Sequence, residues 1–276
     1  MHRRIHPAAL AVAVFLPLAS GSSSARGAGE VEILVLREHG VGTATLAQPF
    51  LDRFMALAAQ LNGWDAARGQ YLTQRAAASA FIKEHSPHYA ILSLGAFLAL
   101  REPYRLEVVG RVASTLVGGE QYFVVSKSAR DVSACKGRAL ATNHGDDARF
   151  IERVVARGAF KLSDFQVIEN QRPLQSLKQV LGGEAVCALI DDAQLAELQH
   201  LEGGGEVHAV WSSAKLPQMV VVAFPVAPAA ERERFRDNLS HVCDGDGATA
   251  CGEVGIRSLA PASAGDYAEL VSAYGH

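Results

Sequence analysis

Tyr89-Ala-Ile-Leu-Ser-Leu94, Gly95-Ala-Phe97, Leu106-Glu-Val-Val-Gly-Arg-Val-Ala-Ser-Thr-Leu-Val117, Gly118-Gly119 and Gln121-Tyr-Phe-Val-Val-Ser126-Lys127 form the stretch on which the fold turns. Its opening is almost continuously apolar, as in a parallel strand covered on both faces. Small and polar groups break it over Ser93 to Phe97. Two extended runs then flank Gly118-Gly119. The reading is the end of one lobe, a glycine crossover and the start of a second lobe. The cleft between the lobes would be the working part, and a small-molecule binder is expected rather than a catalyst.

Outward from this stretch, strands and helices alternate. Val31 to Leu36 reads as a buried strand, followed by a Gly- and Thr-rich loop. A helix follows with Leu46, Phe50, Phe54, Leu57 and Leu61 inward and Pro49 expected in its first turn. A helix over Gln74 to Glu84 leads into the Tyr89 strand. Beyond the crossover come strands at Arg138 to Thr142, Phe165 to Ile168 and Ala185 to Ile190, with helices carrying Phe150 and Ile151, Leu174 and Leu177, and Leu195 and Leu198. Val207 to Trp211 and Met219 to Phe224 are extended, and helices are expected over Glu231 to Val242 and Asp266 to Tyr274. The pattern predicts an α/β fold of two lobes, with mainly parallel sheets, helices on both faces and two hinge crossovers. Residues 29–119 and 213–276 are expected to form one lobe, and 120–212 an inserted second.

The 276 residues are 49% hydrophobic and 20% charged, enough to bury a sizeable core. Arg3-Arg4, the apolar run from Ala8 to Ala19 and the small residues Ser20 to Ser24 have the layout of a cleavable secretory leader, taken here as 1–28. The run is too short to span a bilayer, which needs ~20 apolar residues. The formal charge of −3 becomes −5 without Arg3 and Arg4, and −6 without Arg26 as well. An exported acidic chain is a poor match for nucleic acid. A monomer without stable membrane insertion is expected, in the periplasm or otherwise exported, and without cofactor or metal.

Four cysteines in an exported chain can pair. Cys243 and Cys251 flank a Gly- and Asp-rich segment whose closure is cheap, so a disulfide is predicted there. Cys135 and Cys187 adjoin two strand-like runs and are either a second bridge or buried thiols.

Ligands in open α/β sheets sit beyond the carboxyl ends of strands. Three loops satisfy that rule. In His39 to Thr45, Gly40 and Gly42 allow close backbone approach, and Thr43 and Ala44 are candidate contacts; a plain turn with Thr45 as helix cap is the alternative. In Ser93 to Phe97, Ser93 and Gly95 are candidates, the Ser93 hydroxyl otherwise bonding local backbone. In Thr142 to Asp146, Thr142, Asn143 and His144 are candidates, and Asp146 is expected to cap its helix. Tyr122 and Asp191 complete the set, with a core tyrosine and a helix cap as their alternatives.

Ala90-Ile-Leu-Ser-Leu-Gly-Ala-Phe-Leu-Ala-Leu100, Tyr122-Phe-Val-Val-Ser-Lys-Ser128, Cys135-Lys-Gly-Arg-Ala-Leu-Ala-Thr-Asn143 and Gln175-Ser-Leu-Lys-Gln-Val-Leu-Gly-Gly-Glu-Ala-Val-Cys-Ala-Leu-Ile-Asp-Asp192 follow one another in an order that carries a resemblance. The chain resembles the type 2 periplasmic solute-binding proteins, in the phosphonate, phosphate and phosphite branch of ABC-transporter receptors. The resemblance implies two lobes closing on a small polar or anionic, phosphonate- or phosphate-like ligand, and delivery to an ABC permease. Asp146 and Asp147 depart from it, because carboxylates at a helix start compete with an anion for the same donors. That departure motivates a second reading, a stand-alone periplasmic sensor or partner protein. A third is a small exported hydrolase using His144 with Asp191.

Overall fold

The computed structural model describes residues 29–39, 44–115, 118–217, 219–245 and 247–275. The expected leader and Thr43 lie outside the described residues.

Alternation of strand and helix runs through the chain. The first half comprises β1 (Glu30–Leu36), α1 (Ala44–Asn62), β2 (Ala66–Leu72), α2 (Arg75–His85), β3 (Tyr89–Ser93), α3 (Leu94–Tyr104) and β4 (Glu107–Ser114). Then follow β5 (Tyr122–Ser126), β6 (Ala139–Thr142), a π-helical segment (Phe150–Val155), β7 (Gln166–Glu169), α4 (Pro173–Leu181), β8 (Cys187–Asp191), α5 (Asp192–Leu198) and β9 (His208–Ser212). The chain closes with β10 (Met219–Ala223), α6 (Ala229–Asn238), α7 (Gly247–Glu253), β11 (Ile256–Pro261) and α8 (Ala268–Gly275).

These strands form two sheets, ordered β11-β4-β10-β3-β1-β2 and β7-β6-β8-β5-β9. Each is mixed where mainly parallel sheets are expected. The βα units pair parallel, β2 with β1 and β1 with β3 in one sheet, β7 with β6 and β6 with β8 in the other. The strands next to the two chain passages, β4 and β10 in one sheet and β5 and β9 in the other, run antiparallel to their neighbours. A chain that leaves the first sheet along β4 and returns along its neighbour β10 has to reverse direction. The two passages also bond each other: Ser213 N–H donates to the Tyr122 carbonyl at 2.8 Å, and Leu216 N–H to the Glu120 carbonyl at 2.8 Å.

Side-chain alternation with period two gives the first sheet two apolar faces. Val31 and Ile33 pack under Leu51, Phe54 and Met55 of α1, whereas Leu34 and Leu36 face Ala78 and Ile82 of α2. The inward face of α1 is therefore Leu51, Phe54, Met55 and Ala58; Phe50 and Leu61, expected inside, are 39% and 38% exposed. Pro49 is the sixth residue of α1, past the first turn, because the helix starts earlier than its apolar spacing suggests. The Leu34 core continues through Phe97, Phe150, Tyr122, Val124 and Leu140 into the second sheet, so apolar packing joins the lobes. Val125, Ala141, Ala188 and Ile190 face Leu177 and Val180 of α4 on the far side.

Three further features differ from expectation. The break at Ser93 to Phe97 is the first turn of α3, an eleven-residue helix starting directly from β3. Asp147, not Asp146, caps the helical turn before Phe150, accepting the Phe150 N–H at 2.9 Å, since its carboxylate lies three residues before that donor. The segment between the last cysteines is not all loop: α7 begins in it at Gly247 and carries Cys251. Both disulfides are formed, Cys135–Cys187 and Cys243–Cys251. The first links the entrance of β6 to β8, its neighbour in the sheet.

Candidate functional site

The parallel strands of both sheets point their carboxyl ends at one cleft of about 580 Å³. From the first lobe come Arg37, Glu38 and His39 after β1, Arg75 after β2, and Ser93, Leu94 and Gly95 after β3. From the second come His144, Asp146 and Asp147 after β6, Arg172 and Pro173 after β7, and Asp191 and Gln194 after β8. Tyr122 pairs with Asp191 across β5 and β8, so both side chains lie on the cleft face.

Of the residues nominated from the sequence, Ser93, Gly95, Tyr122, His144 and Asp191 line this one cleft. Thr142 and Asn143 stand behind them, lining an adjoining hollow of about 370 Å³. Thr142 is consumed structurally: its hydroxyl donates to the Leu189 carbonyl at 2.9 Å and accepts the His144 N–H at 3.0 Å. Ala44 is the first residue of α1. Asp191 caps α5 by accepting the Gln194 N–H at 3.0 Å, which matches its alternative reading while leaving it on the cleft wall.

An ion-pair network crosses the cleft. Nε of Arg75 meets Oε1 of Glu38 at 2.5 Å, Nη2 meets Oε2 at 2.8 Å, and Nη1 meets Oδ2 of Asp147 at 2.7 Å. The Tyr274 hydroxyl of α8 donates to the same Asp147 oxygen at 3.1 Å, bringing the C-terminal helix to the seam. Beside this bridge, His39 Nε2 lies 3.4 Å from Oδ1 of Asp146. Burial works against the His39 charge, but Asp146, with Glu38 and Asp191 adding to it, raises the pKa above the ordinary value. Asp146, expected as a helix cap, is instead the partner of His39.

His144 is buried, with its ring edge-on to those of His39 and Tyr122, at 4.7 and 5.2 Å between centroids. Its Nε2 is 2.9 Å from Oε1 of Gln194. Burial, then the neighbouring His39, pushes the His144 pKa down to about 3, so the ring is neutral near pH 7. The pairing of His144 with Asp191 required by the hydrolase reading is replaced by this one. Burial, with Asp192 adding to it, raises the Asp191 pKa, and burial raises that of the Tyr122 phenol.

At the hinge, Asp192 gathers the crossover. Its carboxylate accepts the N–H groups of Gly118, Glu120 and Gln121 at 2.9, 3.0 and 3.2 Å. Gly118 and Gly119 have φ of +124° and +79°, which the crossover demands and side-chain-bearing residues resist.

The residues missed by sequence reasoning are Glu38, Arg75, Asp147 and Gln194. Two carried a signal. Asp191-Asp192-Ala193-Gln194 is a capping box, with Gln194 returning to its N-cap. Arg75 is a cation in a helix first turn, where the dipole opposes it and an acidic partner is implied.

Neither family models nor curated protein sequences match the chain. Solved structures do match it in fold. A Xanthomonas citri protein bound to chloride ion superposes with a TM-score of 0.69 at 12% identity, covering 88% of this chain and 96% of the other. PhnD1 from Prochlorococcus marinus, in complex with methylphosphonate, gives 0.62 at 7% identity over 88% and 96%. A binding protein component of an ABC phosphonate transporter from Pseudomonas aeruginosa gives 0.61 at 10% identity over 86% and 82%. The fold is the two-lobed fold of type 2 periplasmic solute-binding proteins.

Proposed function

We propose that the protein is an exported solute receptor that traps a small polar molecule between its lobes and passes it to an ABC-type permease. In this reading, residues 29–119 and 213–276 form one lobe and 120–212 the other. The observation that carries it is the convergence of loops from both sheets, with Tyr122, His144 and Asp191 facing Ser93 and Gly95, on one cleft of about 580 Å³. Such a volume suits a small ligand. Two disulfides fit an oxidising compartment. Among the described residues no helix is long and apolar enough to cross a membrane.

A phosphonate- or phosphate-like head group remains within this reading, at the Arg172 and Lys178 side of the cleft. A thermal-shift screen with phosphate, phosphite, methylphosphonate, alkanesulfonates and amino acids tests it. A ligand that binds only the folded state must raise the melting temperature. The proposal predicts such a rise for at least one of these classes; a flat response to all of them contradicts it.

A further inference from the structure

Two acceptors on the cleft wall stand out beside its cations Arg37, Arg75, Arg172 and Lys178. Gln194 fixes the first of them. Its side-chain Nε2 donates to the Pro173 carbonyl, and its Oε1 accepts the Asp191 N–H at 3.1 Å. Those two neighbours set the amide orientation, so the atom facing His144 is an oxygen. Nε2 of His144 must then carry the proton, and Nδ1 carries a lone pair. That Nδ1 is buried without a hydrogen-bond partner, in a residue that is 3% exposed and lines the cleft. An unpaired buried acceptor is costly, and a donor arriving with a solute removes the cost.

Glu38 supplies the second acceptor. β1 and β3 are parallel neighbours, so the residue two places past β1 lies beside the end of β3, where α3 begins. Oε2 of Glu38 is 3.4 Å from the Ser93 hydroxyl, and a Cβ built on Gly95 would meet it at 3.5 Å. Its side chain is only 6% exposed and is held by two bonds from Arg75. Ser93 gives α3 no side-chain cap. The Glu38 carboxylate thus occupies the positive end of α3, where an external anion would otherwise bind.

We propose that the cleft selects solutes presenting a hydrogen-bond donor, an ammonium group above all, with Nδ1 of His144 as the accepting atom and Glu38 excluding acceptor-only anions from the start of α3. This deepens the solute-receptor reading and rests on it.

Calorimetric titration with two isosteric pairs tests it: taurine against propane-1-sulfonate, and β-alanine against butyrate. Each pair exchanges an ammonium for a methyl group. The ammonium member is expected to bind at least about tenfold more tightly, and His144→Phe to bring the ratio close to one. Sulfate is expected to bind Glu38→Gln but not the parent protein. A measurement without substitution covers the case of a misfolded variant. In the ¹⁵N spectrum of the parent protein, the His144 Nδ1 resonance should move with taurine and stay with propane-1-sulfonate. Equal binding within the pairs, an unmoved Nδ1, or sulfate binding the parent as well as the variant overturns the assignment and leaves the cleft as a solute site. Failure of all four organic acids to bind overturns it and removes support for the cleft as well.

Discussion

Nη1 of Arg75 stands 2.7 Å from Oδ2 of Asp147, joining side chains 72 positions apart on opposite walls of the cleft. Arg75 opens α2 against the first sheet, and Asp147 follows β6 of the second. The same guanidinium holds Glu38, so one cation ties two carboxylates of two lobes.

Arg75→Ala should leave both carboxylates without their cation. Breaking a buried pair costs ~3–5 kcal/mol, and the partial exposure of this guanidinium reduces the expected loss to about 2–3 kcal/mol. Urea denaturation measures the loss. Small-angle scattering should show a larger radius of gyration as the lobes part. Asp147→Asn, which keeps a capping oxygen, should reproduce the expansion with a smaller loss of stability. An unchanged radius in both variants would mean that this bridge does not hold the cleft.

Asp192→Ala should loosen the crossover. Three N–H groups at Gly118, Glu120 and Gln121 lose their shared acceptor. With each hydrogen bond contributing about 1 kcal/mol, amide exchange at these positions should accelerate about tenfold or more. Exchange at β3, away from the hinge, should stay as it is.

The two histidines facing each other across the cleft give opposite pH dependences. His144 is neutral in the folded state down to about pH 3, against an ordinary value of 6.5. The unfolded chain therefore takes up the extra proton first, and stability present above pH 6.5 drains as pH falls, by up to about 1.4 kcal/mol per pH unit. His39 is raised above 6.5 by Asp146, so its contribution is whole below that value and is lost as pH rises through the raised pKa. His144→Phe should flatten the acid limb of a stability profile. His39→Gln should flatten the limb above neutrality.

The disulfides should differ in worth. Cys135–Cys187 closes a separation of 52 residues and Cys243–Cys251 one of 8. Loop-closure entropy assigns them about 4 and about 2.5 kcal/mol. Replacing the first pair by alanine should lower the denaturation midpoint more than replacing the second.

The sequence made the two-lobed plan legible because strand–helix alternation and the Gly118-Gly119 crossover are local signals. The placement of Ser93, Gly95, Tyr122, His144 and Asp191 on one cleft is legible for the same reason, since each lies at or near a strand end. Partner choice was not legible. Asp146 and Asp147 are adjacent in sequence, yet one meets His39 and the other Arg75, contacts set by the docking of two lobes. The start of α3 was hidden because Leu94 to Leu100 is as apolar as a strand, and a short apolar run does not distinguish the two. The inward face of α1 is only partly legible, because Phe50 and Leu61 continue the helical spacing of Phe54, while the buried stripe runs through Leu51, Phe54, Met55 and Ala58.

Crystallography of the protein grown with whichever solute raises its melting temperature most tests the account directly. Solute density is predicted between Tyr122, His144 and Asp191 on one side and Ser93 and Gly95 on the other. Density lodged elsewhere, with this cleft empty, would contradict it.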